Sequence, residues 1–173
     1  MTSVDTKIRI AQIKDGFNYW VFIPAAVIVG GLAADRIFGL PSFSQHMMII
    51  ASAALLIIIG AAFIQGSTKD LAVYGDGTPN PLRPPKRLVV EGRYRLCRHP
   101  MFFGYDLAAL GVVMLFRSWG MLLVSYPLFI FLECRFLGGE EQKLEKRFGR
   151  TFNEYRKRTS FLIPLIGKER KTA

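Results

Sequence analysis

Cysteine and histidine are scarce: the 173-residue chain has two of each. Two cysteines cannot staple a small fold, so a disulfide scaffold is excluded. The two histidines, His46 and His99, supply no spacing that reads as a zinc site, and no metal is expected. Acid is short as well: 13 Asp and Glu stand against 23 Lys and Arg, for a net charge of +10. No glycine-rich turn joins a strand-like run to a helix, which leaves no place for a dinucleotide-binding βαβ unit; Gly75 and Gly77 read as a turn. Above all, four stretches lack charge. Residues 17–34 and 47–64 carry none over 18 positions each, residues 119–132 carry none, and residues 101–116 carry only Asp106.

Half the chain is hydrophobic (51%), and it contains 14 Phe, too much apolar surface for a disordered chain. A helix rises about 1.5 Å per residue and the hydrocarbon core is about 30 Å thick, so the two long stretches nearly span it. The two shorter ones span it if their helices continue into the headgroups. The region before residue 17 is long and mixed in charge, unlike a signal peptide, so the first stretch reads as a retained span. Lys and Arg in the successive segments outside the spans number 3, 1, 7, 1 and 11. The positive-inside rule then places both termini and the long middle loop in the cytoplasm. Basic residues facing an anionic leaflet account for the net charge without nucleic acid as a partner.

The predicted fold is all-α and integral to the membrane: four transmembrane helices in two antiparallel hairpins plus a cytoplasmic amphipathic C-terminal helix. It is a single domain over residues 1–173, with a first hairpin (1–64), a cytoplasmic loop (65–100), a second hairpin (101–137) and a C-terminal helix and tail (138–173). Leu144, Phe148, Phe152 and Tyr155 fall on one face of that last helix, after Gly138 and Gly139. Four prolines between residues 74 and 85 forbid a continuous helix there. The short run from Leu88 to Val90 reads as a short extended piece.

Chemistry concentrates in the two large cytoplasmic segments. Arg98, His99 and Pro100 stand where the third span begins, Pro100 suiting the first turn of a helix. Glu140 and Glu141 are adjacent carboxylates that repel unless a cation lies near, so the pair suits a cationic ligand. Asp106, an acid inside a span, is a functional candidate, with a structural pairing to a polar group of a neighbouring helix or to Arg98 as its rival. Cys97 and Cys134 fall at the reducing cytoplasmic edge, where free thiols are expected.

The string GRYRLCRHPMFFG over residues 92–104 resembles the G-x-Y-x-x-x-R-H-P-x-Y-x-G signature of isoprenylcysteine carboxyl methyltransferases and their bacterial relatives. Residues 140–158, EEQKLEKRFGRTFNEYRKR, followed by Leu162 and Pro164, resemble the ending of the same family. Phospholipid N-methyltransferases are similar more distantly. Phe102 and Phe152 replace two family tyrosines, keeping the ring without the hydroxyl. The resemblance implies an S-adenosylmethionine-dependent methyltransferase of the bacterial inner membrane, acting on a lipid-like or small amphiphilic acceptor. It implies that Tyr94, Leu96, His99, Pro100, Phe102, Gly104, Glu140 and Glu141 bind the cofactor, with Arg98, Arg158 and Glu141 catalytic. Arg98 and Arg158 would act near the acceptor, where a planar guanidinium fork suits a carboxylate or phosphate. An NADPH-dependent membrane reductase and a non-enzymatic membrane assembly factor remain the alternatives. The acceptor group stays open among carboxylate, amine and thiol.

Overall fold

A computed structural model of the chain describes residues 23–44, 46–79 and 84–164. Residues 17–22 of the expected first span lie outside the described residues. So do the basic positions Lys7, Arg9, Lys14, Arg83, Lys168, Arg170 and Lys171. All the regular structure described is helical; an isolated parallel bridge joins Cys97 and Ser160.

Helix α1 is described over Ile23–Phe38. Helix α2 (Met47–Gly75) runs 29 residues and stops where Asp76 turns left-handed at φ 50°. At 1.5 Å per residue it is about 43 Å long, more than a hydrocarbon core. The sequence led us to expect a span ending near Ile64. The helix runs on because no proline occurs between there and Pro79. A short 3₁₀ turn (Gly92–Arg95) precedes α3 (Pro100–Phe116), whose first turn holds Pro100. A π-helical turn (Met121–Ser125) leads into α4 (Tyr126–Phe148), and α5 (Arg150–Arg158) follows Gly149. The piece containing Leu88 is irregular rather than a strand, although Val89 is buried.

Two segments, Met47–Gly75 and Met121–Phe148, are long and apolar enough to cross a membrane; Pro100–Phe116 is apolar but shorter. Their outward residues are greasy: Leu55, Ile58, Leu128, Phe131 and Leu132 are each more than half exposed. Contiguous apolar surface of this kind is not left facing water.

Small residues decide which helices touch. A Cβ on Gly104 would sit 2.7 Å from the Gly60 carbonyl oxygen, and one on Gly111 would sit 2.6 Å from that of Ala53. These positions let α2 and α3 pack antiparallel with their backbones close. Similarly, Met121 lies against Gly31, and Ser125 donates a 2.8 Å hydrogen bond to the Val27 carbonyl, which seats α1 on the start of α4. At the same end Asp35 accepts from the Gly120 N–H at 2.7 Å. The sequence expectation of two hairpins, first with second and third with fourth, therefore needs correction. The chain does reverse at those loops, but α1 and α2 hardly touch and α3 meets α4 at few points. The glycines direct the packing to α2 on α3 and to α1 on α4.

The C-terminal helix is also different from expectation. It does not begin after Gly138 and Gly139, because α4 passes straight through them. Two glycines cost a helix about 1 kcal/mol each, and the buried stripe of Glu133, Leu137 and Glu141 holds the helix across them. The break comes at Gly149, with φ 52° and ψ −124°, so Leu144 and Phe148 belong to α4 while Phe152 and Tyr155 belong to α5.

Candidate active site

The site is assembled from two segments far apart in sequence. Gly92 adopts φ 61°, and a side chain there would overlap the Asp70 carboxylate. The turn thus drops onto α2, where Asp70 accepts from the Arg93 N–H at 2.8 Å. From this anchor the chain runs to the start of α3. There it is zipped to the segment after α5. The Arg98 N–H donates to the Ser160 carbonyl at 2.8 Å, and the Ser160 hydroxyl donates to the Leu96 carbonyl at 3.1 Å. The Tyr155 hydroxyl donates to the Tyr94 carbonyl at 2.6 Å.

This zipper brings Arg98, His99 and Glu141 together. Arg98 Nε donates to Glu141 Oε1 at 2.5 Å and Nη2 to Oε2 at 3.4 Å, a two-pronged pair. Its Nη1 donates to the carbonyls of Arg156, at 3.2 Å, and Thr159. His99 Nε2 lies 3.3 Å from Glu141 Oε1. All three side chains are about nine-tenths buried. Burial pushes the Glu141 carboxyl up, but the hydrogen bonds from His99 and Arg98 and the Arg98 charge outweigh it, so it stays below its ordinary value. Burial pushes the neighbouring Cys97 thiol up to about 12 and keeps it protonated. Aromatic rings wall the cluster: Phe161 lies 5.0 Å from His99, Phe102 lies 6.3 Å from it, and Arg98 stacks over Phe161 at 5.6 Å.

The residues singled out from sequence divide accordingly. Arg98, His99, Pro100, Phe102 and Glu141 meet at one end of the bundle. Tyr94 and Leu96 contribute main-chain carbonyls to the zipper. Gly104 faces Gly60 at the helix crossing instead. Glu140 lies near the surface with Lys143, at 2.5 Å. Arg158 is exposed in the last turn of α5 and takes no part in the cluster. Four of the five N–H donors of Arg98 are already engaged within the protein, so its fork is not free for an acceptor. Asp106 is not the partner of Arg98.

Sequence reasoning missed Glu133. It directly follows the charge-free stretch 119–132 and lies eight positions before Glu141 on the same buried face. The same reasoning missed Phe161 too, which carries no pattern signal by itself.

Among the described residues the chain is a small all-helical bundle with a buried Arg–His–Glu cluster where two distant motifs converge, without the strands of a βαβ nucleotide binder. The sequence profile of the phospholipid methyltransferase family matches residues 48–151, and the chain belongs to that family. A protein-S-isoprenylcysteine O-methyltransferase from Schizosaccharomyces pombe is 39% identical over 80 residues, which is 46% of this chain and 34% of the relative. The chain thus spans about a third of the length of that curated relative. No solved structure matches it.

Proposed function

We propose that the chain is an integral membrane methyltransferase that uses S-adenosylmethionine to methylate a membrane-associated, lipid-like acceptor. One observation carries this reading: the two motifs, 98–100 and 140–141, meet through the buried contacts of Glu141 with Arg98 and His99. The family to which the chain belongs supports a methyltransferase, and the outward apolar residues support the membrane.

The residues present suit the cofactor. The rings of His99, Phe102 and Phe161 provide flat surfaces for an adenine. When bound, S-adenosylmethionine supplies a methyl group on an electrophilic sulfonium. The protein's part is positioning and exclusion of water. Arg98 fixes the Glu141 carboxylate and ties down the segment after α5, His99 presents its ring beside that carboxylate, and Phe102 and Phe161 close the wall. In the proposed topology there are four spans, with both termini and this site on the cytoplasmic side of a bacterial inner membrane. The acceptor reaches the site from the bilayer between α3 and α4, beside the outward-facing Leu128, Phe131 and Leu132.

The test is calorimetric binding of S-adenosylhomocysteine to the purified chain in nanodiscs, followed by transfer of tritiated methyl from S-adenosylmethionine into a lipid extract. Binding and a labelled lipid are expected. Binding of NADPH without S-adenosylhomocysteine, or of neither, would overturn the proposal.

A further inference from the structure

The side chains of Arg98, His99 and Glu141 are each about nine-tenths buried, so a ligand from the cytosol reaches them only if something gives way. Helices α2 and α3 are locked at a glycine crossing, where a Cβ on Gly60 would sit 2.5 Å from the Gly104 carbonyl oxygen. Helix α4 runs unbroken past Glu133, Leu137 and Glu141. Helix α5 is held differently. Of its nine residues, Phe152 alone is buried. Its ion pair with α4, Arg156 to Glu145 at 3.7 Å, is half-exposed and contributes little. What ties α5 down is a set of hydrogen bonds to main-chain carbonyls at and just beyond its far end. The Tyr155 hydroxyl donates to the Tyr94 carbonyl, the Arg98 N–H to that of Ser160, and Arg98 Nη1 to those of Arg156 and Thr159. The segment that follows brings the Phe161 ring to 5.0 Å from His99 and beneath the Arg98 guanidinium.

The near end of α5 turns on a single residue. Gly149 has φ 52° and ψ −124°, a conformation that suits glycine and strains other residues. A Cβ there would meet nothing within 4 Å, so no packing fixes the joint. Helical hydrogen bonds persist on both sides of it. The Gly149 N–H donates to the Glu145 carbonyl at 2.8 Å, and the Asn153 N–H to the Gly149 carbonyl at 3.2 Å. The bend is therefore confined to one residue between two helices that keep their shape.

We propose that α5 and residues 159–161 form a lid over the motif cluster, hinged at Gly149 and latched by Arg98. The guanidinium is divided between two duties. Its Nε and Nη2 hold the Glu141 carboxylate, and its Nη1 holds the lid's carbonyls. Opening breaks only the bonds to neutral carbonyls and lifts Phe161 away. Glu141 keeps Arg98 and His99, so no buried charge is stranded and the largest cost of disturbing the cluster is avoided. A nine-residue helix is marginal in water once released, so α5 is fully ordered only when the lid is shut. Arg98 is thus a positioning residue that ties closure of the lid to the placement of Glu141. The lid admits and retains the water-soluble ligand, and the acceptor's route from the bilayer is separate. In naming what passes beneath the lid, the inference rests on the methyltransferase reading.

The test is hydrogen exchange, read by mass spectrometry at residue level, on the full chain in phosphatidylcholine nanodiscs. Rates of S-adenosylhomocysteine binding and release are measured alongside by surface plasmon resonance. The ligand should slow exchange at residues 150–158 and at the Arg98 amide together. Gly149→Ala strains the closed joint, and Tyr155→Phe removes one tie. Each should speed exchange at 150–158 and at Arg98 by about fivefold to tenfold. The Arg93 amide, bonded to Asp70 outside the lid, should stay unchanged. Binding and release of S-adenosylhomocysteine should both quicken by a similar factor, with affinity held within about twofold. Faster exchange spread equally to Arg93 would mark α5 as a plain structural support and overturn the lid. Faster lid exchange with unchanged ligand rates would also overturn it, because the ligand then enters elsewhere. If neither variant alters lid exchange, the hinge and latch are wrong whatever binds. If wild type binds no S-adenosylhomocysteine while both variants loosen 150–158 and Arg98 as expected, the methyltransferase reading fails and the lid stands.

Discussion

Arg98 and Glu141 test whether the motif cluster is held together by its own charges. Each is buried, and removing one member leaves the other without its partner at a cost of about 3–5 kcal/mol. Arg98→Ala and Glu141→Ala should each lower the melting temperature sharply. The double variant should lose less than the two singles together, because the second deletion removes a charge already stranded. Full additivity in denaturant titrations would show that the pair is not coupled. The Glu141 carboxyl is depressed in the folded chain, so its contribution is present above the unfolded carboxylate value and fades as pH falls through the folded one. Cys97 works in the opposite direction. Burial raises its thiol from 9.0 to about 12, so the folded chain holds that proton longer than the unfolded chain does. Its contribution is complete below pH 9.0 and is lost as pH climbs toward 12. With its side chain fully enclosed, Cys97 should resist maleimide at neutral pH in the folded protein and react once the chain is unfolded. Rapid labelling in the native state would contradict the zipper that encloses it.

The helices show which sequence signals were legible and which were not. Charge-free stretches located α2, α3 and the apolar part of α4, because a span needs apolar length and length is readable. The C-terminus of α2 was misjudged, since a polar helix end in contact with Arg93 and Val89 carries no hydrophobic signal. Glycine was the least readable residue. Gly104 and Gly138 look alike in sequence, yet one is a contact surface and the other faces open space. Gly104→Ala would press a methyl to within 2.7 Å of the Gly60 carbonyl oxygen and 2.9 Å of Phe63 Cβ. It should destabilise by about 1–3 kcal/mol as α2 and α3 are forced apart. Gly138→Ala and Gly139→Ala meet nothing within 4 Å and lie inside a continuous helix. Each should stabilise by about 0.5–1 kcal/mol. Thermal melts of the three variants decide the matter. Equal effects at 104 and 138 would mean that α2 and α3 do not cross as described.

For the molecule as a whole, the motifs were legible as linear strings, and the chemistry they imply follows from their meeting at one end. What the strings could not convey is that the two acids they contain are already paired, while Asp106 Oδ1, inside an apolar run, and Glu133 Oε1, just after one, are buried without a hydrogen-bond partner among the described residues. Pairing is a property of three-dimensional proximity, and nothing in the spacing of Glu140 and Glu141 distinguishes an engaged carboxylate from a free one. Orientation in the membrane, by contrast, follows from charge counts and can be tested on described positions. The loop around Phe43 lies at one end of the bundle, where its carbonyl accepts from Arg117 at 2.9 Å and its ring meets Trp119 at 5.3 Å. The loop holding Lys86 and Arg87 lies at the other, hydrogen-bonded to the Gly75 carbonyl at the end of α2. Helix α2, about 43 Å long, separates them by more than a bilayer core. Its length leaves the polar turn at Asp70 and Arg93 outside the hydrocarbon. If the positive-inside rule governs this chain, the arginine-rich end is cytoplasmic. In a Cys134→Ser background, with Cys97 enclosed, Ser42→Cys should label with an impermeant maleimide from the outside of spheroplasts, and Arg87→Cys only after the membrane is opened. Labelling of both from the same side would disprove the topology, and labelling of Arg87→Cys alone from outside would invert it.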